Sequence, residues 1–264
     1  MLGTQLFGKS DRGLLRADNE DDFLVSPEFL LCVVSDGMGG APAGECASRI
    51  FTETAMEVFS GFSCRSEQET VELVQRAFLA ANERIRQHTK QTPHHQGMGC
   101  TAEILAMAED KFVIGHIGDS RTYRCRNNQL QQLTQDHTYL SEVLGNGSIS
   151  PANWRKHALG HAISRAVGGE EKLSLDIIRG QMVFGDLYLL CSDGLTDMVQ
   201  DSVIEGVLSS GVELPMKVET LVNLANSAGG HDNITIVLTE VGDQNLEARS
   251  LERQSRSAGR LQNL

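Results

Sequence analysis

Apolar residues in this chain fall into short runs that alternate with helical stretches, the pattern of a mixed α+β protein. Runs at 22–25 and 29–35, split by Ser26-Pro27-Glu28, predict a hairpin. The spacing predicts helices over 43–59 and 67–89, the second carrying Val71, Val74, Phe78, Ala81 and Ile85 on a face that must cover a sheet. After a loop at 92–97, strands are expected at 101–108, 112–117 and 121–126, with Gly118-Asp119-Ser120 in a hairpin turn between the last two. Residues 136–147 and 151–167, rich in His and Gly and holding the single Trp154, read as a lid or substrate-facing insertion. Strands at 173–178 and 187–191, helices at 202–208 and 216–225, and a final strand at 234–238 complete the pattern. The polar, Arg-rich stretch that follows reads as a tail, dividing the chain into a domain at 1–242 and a tail at 243–264.

Composition narrows the class. The chain has 264 residues, 40% hydrophobic and 22% charged, as expected of a soluble globular protein. Its formal net charge of -12 argues against sequence-independent binding to nucleic acid or to an anionic membrane, which need clustered Lys and Arg. The six cysteines form no CxxC pair and read as buried thiols of a reducing compartment. No apolar run reaches bilayer length, and residues 1–16 hold no signal-peptide block, so the expected location is the cytoplasm.

The candidate chemistry sits where strands end. Two apolar runs, Leu30 to Val34 and Leu187 to Cys191, both lead into Ser-Asp-Gly, placing Asp36 and Asp193 at strand ends. Asp232 lies at the start of the last strand, so antiparallel neighbours would bring all three to one sheet edge. Counting back through the first hairpin sets Glu20 and Asp21 near Asp36, so the acidic run Asp18 to Asp22 joins the site with Arg16 just outside. An all-oxygen set of this kind suits magnesium or manganese rather than zinc. Close carboxylates oppose one another's ionisation unless cations neutralise them. Two divalent ions would do so, and would activate a bridging water as hydroxide for in-line attack on a phosphoryl group. Arg16 could clamp phosphate oxygens through its planar fork.

Six ordered segments carry a resemblance: Arg16 to Asp21, Ser35-Asp36-Gly37-Met38-Gly39-Gly40, Gly99-Cys100-Thr101-Ala102, Gly118-Asp119-Ser120-Arg121, Ser192-Asp193-Gly194-Leu195 and Asp232-Asn233-Ile234-Thr235. Together they resemble the metal-dependent serine/threonine phosphatases of type 2C, and Met38 with the compact length is similar to bacterial members. The resemblance implies a sandwich of two antiparallel β-sheets flanked on both faces by α-helices, with two metals at one end. It implies that Asp36 bridges both metals, that the Gly37 carbonyl completes one, and that Asp193 and Asp232 hold the other. Glu20 and Asp21 would act largely through metal-bound waters, Arg16 would bind the substrate phosphate, and Asp119 with Asp193 would take a third ion at a more exposed rim. The cofactors implied are two or three divalent cations, manganese or magnesium. Where eukaryotic relatives carry the proposed acid, a His, this chain has Met38, which cannot donate a proton, so a metal-bound water is expected to serve, with His137 and His231 as other candidates. The implied activity is hydrolysis of phosphoserine and phosphothreonine in proteins. Implied partners are a phosphoprotein substrate and an opposing Ser/Thr kinase, the chain itself being a monomer. A catalytically weak phosphoprotein-binding regulatory module of the same fold is the alternative. A two-metal nuclease would need a basic track that the net charge does not supply.

Overall fold

The computed structural model describes residues 2–38, 43–62, 66–139 and 162–243. Ten strands are present among them: β1 (Leu2–Asp11), β2 (Asp21–Ser26), β3 (Leu31–Asp36), β4 (Ala102–Ala108), β5 (Lys111–Ile117), β6 (Arg121–Arg126), β7 (Gln129–Gln132), β8 (Asp176–Gln181), β9 (Leu187–Cys191) and β10 (Ile234–Asp243). The helices are α1 (Gly44–Phe59), α2 (Glu67–Gln91), the single turn α3 (Asp193–Thr196), α4 (Asp201–Leu208) and α5 (Leu214–Ser227), with a 3-10 turn at Pro93–His95. Ser66 caps α2 reciprocally with Glu69, which fixes where that helix starts.

Strand alternation explains the layering. In β3, Leu31 and Val33 pack with Phe51 of α1 and Phe78 of α2, while Cys32 and Val34 pack with Tyr188, Leu190 and Val237 from the other sheet. One sheet runs β2-β3-β4-β5-β8 and the other β1-β10-β9-β6-β7, with antiparallel pairing throughout. The second sheet's outer face is closed by Leu195, Ile204, Leu208, Val218 and Leu221 from α3, α4 and α5. Helix, sheet, sheet, helix is thus the layer order, as the resemblance implied. Each fully buried Phe or Leu side chain in these layers contributes about 1.5–3 kcal/mol.

Several local expectations change. The hairpin forms, but its strands are β2 and β3 with a turn at 27–30, and 173–178 shifts to β8 because pairing with β5 selects Asp176–Gln181. β1 was not anticipated; it pairs with β10 along its whole length, and that pairing supplies what a Gly-containing, weakly alternating segment lacks. β7 follows a tight turn in which Asn127 and Asn128 both have positive φ, 53° and 61°, the geometry of a two-residue hairpin. The turn holding Asp119 is not a hairpin: β5 and β6 belong to different sheets, so the chain crosses there from one layer to the other. The expected lid is described only at its base, where Tyr139 N donates to Ala162 O at 3.0 Å and Ser164 N to His137 O at 2.8 Å. Residues 140–161, Trp154 among them, and 244–264 of the expected tail lie outside the described residues, as do Gly39, Gly40 and Cys64.

A polar network sits between the sheets. Glu103 on β4 pairs with Nδ1 of His116 on β5 and accepts a hydrogen bond of 2.6 Å from Thr122 Oγ1 on β6, so it ties one sheet to the other. His116 Nε2 donates to the Gln135 carbonyl at 2.9 Å. Burial pushes the Glu103 carboxyl up; burial opposes charge on His116, yet Glu103 raises it. Removing one partner of a buried pair strands the other, so Glu103→Ala should cost about 3–5 kcal/mol of folding stability. Urea denaturation in saturating magnesium measures this, and a loss below about 1 kcal/mol would assign the pair no more weight than a surface contact.

Candidate metal centre

Asp21 and Asp36 face each other in the antiparallel register of β2 and β3, so two carboxylates share the end of one sheet. From the other sheet, β9 runs out at Cys191 while β10 begins at Ile234, and Ser192 N donates to Thr235 O at 3.0 Å. Asp193 and Asp232 are thereby set at the same edge, as the sequence pattern required. A Cβ on Gly194 would lie 1.9 Å from the Asn233 carbonyl oxygen, so the loops bearing these two aspartates approach as only glycine permits. Gly37 is constrained in the same way: a Cβ there would lie 2.3 Å from the Gly44 oxygen and 2.7 Å from the Glu20 oxygen, and its N–H donates to Glu20 O at 3.0 Å.

Two motif residues to which the sequence alone assigns no role hold the sheets in register here. Ser192 Oγ donates to Asp21 Oδ2 at 2.8 Å and accepts from Thr235 N at 3.0 Å, joining the two sheets through one hydroxyl. The Asn233 amide accepts from Glu20 N at 2.8 Å and donates to the carbonyls of Arg12 and Asp18 at 2.9 and 3.0 Å, clasping the segment that carries Arg16. Their signal was a hydroxyl or amide beside each strand-end Asp, which is also common turn chemistry. On the β4 side, Thr101 Oγ1 accepts from Asp36 N at 3.1 Å and is 2.7 Å from Ser120 Oγ, linking Asp36 to the turn of Asp119.

Arg16 donates to Asp232 Oδ2 at 2.6 Å, with the two side chains 40% and 34% exposed at the mouth of the cluster. Glu20 is close enough to Arg16 and Asp232 to feel both charges. Asp119 is buried, 7% exposed, rather than standing at an exposed rim. Asp22 leaves the acidic cluster: its carboxylate accepts from Thr52 Oγ1 on α1, because alternate residues of β2 point to opposite faces. Asp197, not anticipated, adds charge beside Asp119 and Asp193. His137 is buried, accepts from Gly118 N at 3.2 Å through Nδ1, and donates through Nε2 to Asp176 Oδ2 at 3.2 Å. Burial and the neighbouring His116 hold it down to about 4, so it is a neutral support beneath the Asp119 turn. His231 is exposed and folded over Gly229. Met38 packs its methyl group on Gly99.

The charges do not balance among these groups alone. Burial, then neighbouring carboxylates, push Asp36 and Asp193 well up, and burial pushes Asp21 and Asp119 up to about 6. Asp21 Oδ1 and Asp193 Oδ1 are buried with no hydrogen-bond partner among the described residues. A buried carboxylate oxygen without a donor is expensive, and a divalent cation with oxygen preference answers both the missing partner and the repulsion. Among the described residues, no three of these carboxylates bring oxygens within 4.8 Å of one another. Waters would therefore complete the coordination of each ion, which is magnesium's habit.

Residues 9–240 match the protein phosphatase 2C family. The chain is 35% identical over 236 residues to the serine/threonine phosphatase stp of Listeria welshimeri, covering 88% of this chain and 94% of that protein. The crystal structure of the Mycobacterium tuberculosis serine/threonine phosphatase PstP/Ppp has a TM-score of 0.84 at 32% identity, over 92% of this chain and 100% of that one. A structure of the catalytic domain of PstP in complex with two manganese ions has a TM-score of 0.82 at 33% identity, with the same coverage.

A raised carboxyl stabilises the fold below its unfolded value and loses that contribution as pH rises through its folded value. The metal-stripped protein should therefore lose stability as pH climbs from 3.8 to about 6, where Asp21 and Asp119 ionise. Saturating magnesium should flatten that slope. Thermal unfolding across the range, with and without the ion, checks both, and a slope untouched by magnesium would detach the cluster from cation binding.

Proposed function

The chain belongs to the protein phosphatase 2C family and is a metal-dependent phosphoprotein phosphatase, and from that premise we propose the division of labour among its residues. The observation that carries the proposal is the convergence of Asp21, Asp36, Asp119, Asp193 and Asp232 from two sheets on one end of the sandwich, with two buried oxygens left unpartnered. Asp36, whose charge interacts with all four of the others, would serve as a ligand to two divalent ions, manganese or magnesium. The Gly37 carbonyl would complete one ion, Asp193 and Asp232 the other, and Glu20 and Asp21 would act largely through water. Asp119 and Asp193 would hold a third. Bound there, the cations polarise phosphoryl oxygens and make water a stronger nucleophile at neutral pH.

The chain's own groups do the rest. Arg16 sits at the mouth with one amino group on Asp232; when a cation neutralises Asp232, the guanidinium becomes the natural clamp for the phosphate of a phosphoserine or phosphothreonine. Asn233 sets the height of that clamp by holding the carbonyls on either side of it. Met38 supplies packing and no proton, so water at the centre serves the leaving alkoxide.

We place residues 1–242 in the catalytic domain and 243–264 in a tail. The reading includes signalling in the cytoplasm, supported by free buried thiols at Cys32, Cys46, Cys100, Cys125 and Cys191. No helix among the described residues is long and apolar enough to cross a membrane. An opposing Ser/Thr kinase is the natural counterpart, since removing a phosphate matters only where one is installed. The chain acts as a monomer, because its own helices cover the outer faces of both sheets.

Manganese-dependent hydrolysis of p-nitrophenyl phosphate and of a phosphothreonine peptide tests the assignment. Asp36→Asn should abolish both in a folded protein, and substantial turnover by that variant would sink the shared-ligand role. Arg16→Ala should raise KM, lowering kcat/KM by about 10–100-fold for a lost charged hydrogen bond of about 1.5–3 kcal/mol. A collapse of kcat at unchanged KM would instead move Arg16 from the ground state to the transition state.

A further inference from the structure

A second set of metal-ligating side chains lies away from the carboxylates. Cys46 stands in the first turn of α1, His88 in the last turn of α2, and His95 in the 3-10 turn that follows. Cys46 Sγ is 3.8 Å from His88 Nε2, which is 2.9 Å from His95 Nδ1, and the three donor atoms all lie within 4.8 Å of one another. Bonds of about 2.3 Å to sulfur and 2.0–2.1 Å to nitrogen separate the ligand atoms of tetrahedral zinc by about 3.3–3.6 Å. The first spacing is slightly longer and the second slightly shorter than that range, the second being a His88–His95 hydrogen bond that an ion would replace with small shifts of the rings.

We propose that Cys46, His88 and His95 form a zinc site, with water in the fourth position, that clips the start of α1 to the end of α2. One sulfur and two imidazole nitrogens make a borderline-soft donor set that prefers zinc to magnesium or manganese, so the site is chemically orthogonal to the all-oxygen centre. The backbone already holds the two histidines in place: Thr92 N donates to His88 O at 2.8 Å, and His95 N donates to Thr92 O at 2.9 Å. Their rings stack with centroids 5.1 Å apart. His88, alone of the three, also lines a surface cavity of about 250 Å³ whose wall carries both Glu53 and Arg84. Burial pushes the Cys46 thiol up, so an ion must displace its proton on binding.

The clip bears on the phosphatase centre through the backbone, although the proposal stands whether or not that centre turns over. Gly44, two residues before Cys46, packs against Gly37. Met98 N donates to His95 O at 3.1 Å, and the next residue, Gly99, accepts from Met38 N at 3.0 Å. Zinc would therefore hold together the two supports that flank Gly37 and Met38.

Cobalt(II) is the probe. The full chain, stripped by chelator and reloaded with magnesium, should on titration develop a thiolate-to-cobalt charge-transfer band in the near ultraviolet and the strong visible bands of four-coordination, saturating at a single equivalent and bleached by zinc. Carboxylates cannot produce the thiolate band. Cys46→Ser should abolish it, and His95→Ala should weaken zinc competition by more than the roughly 10–100-fold that an outer partner costs, with circular dichroism confirming that both variants fold. A wild-type spectrum without the thiolate band, its persistence in Cys46→Ser, or undiminished zinc affinity in His95→Ala would each overturn the site.

Discussion

Asp21 and Asp36 meet across one hairpin, and Asp193 reaches the same space from the opposite sheet. Left to themselves these carboxylates would separate, since each raises the others' resistance to ionisation. What prevents it is that every one of them is anchored to a strand end whose backbone is already committed: Asp36 O accepts from Thr101 N at 2.8 Å, and Ser192 is hydrogen-bonded to Thr235 in both directions. The apolar layers supply the free energy that holds this repulsion in place. The same repulsion then becomes affinity for divalent cations, which relieve it on binding. Stability given up in the metal-free fold is the counterpart of a preorganised centre.

Rigidity beneath the centre comes from polar groups that the apolar pattern conceals. Glu103 links β4 to β6 through Thr122, His116 carries the network to Gln135, and the His116 ring lies 4.4 Å from that of His137, which supports Gly118 beside Asp119. The turn at Asp119 is where the chain passes between sheets, so it lacks a hairpin's own hydrogen bonds. Side chains from beneath provide the missing support. Asp119 is consequently held in the interior rather than at a free rim. On the far side of the first sheet, the cluster of Cys46, His88 and His95 occupies the equivalent position for the Gly37 loop: a polar connection between elements whose apolar packing alone leaves their ends unfixed.

The sequence by itself determined the parts that depend on local periodicity. Apolar runs ending in Ser-Asp-Gly mark strand ends, and the antiparallel direction of the last strand follows from the order of the motifs. The pairing of Asp21 with Asp36 could be counted back from a turn, because a strand's side chains alternate with a fixed period of two. That same period misplaces any residue counted one position out, which is why Asp22 read as part of the acidic cluster although it turns to α1.

Only the tertiary structure decided which strands share a sheet, and with it the features that lie between layers. β1 has almost no pattern of its own and exists because β10 offers an edge to pair with. That β5 and β6 part company could not be read from a Gly-Asp turn, since hairpins and layer crossings use the same turn residues. Asn233 and Ser192 are ordinary polar residues until the fold brings Arg12, Asp18, Glu20 and Asp21 within reach of them. Cys46, His88 and His95 belong to three separate elements, and no spacing rule joins them. Their meeting is fixed by how α1 and α2 lie on the sheet, a consequence of nonlocal packing that one-dimensional periodicity does not encode.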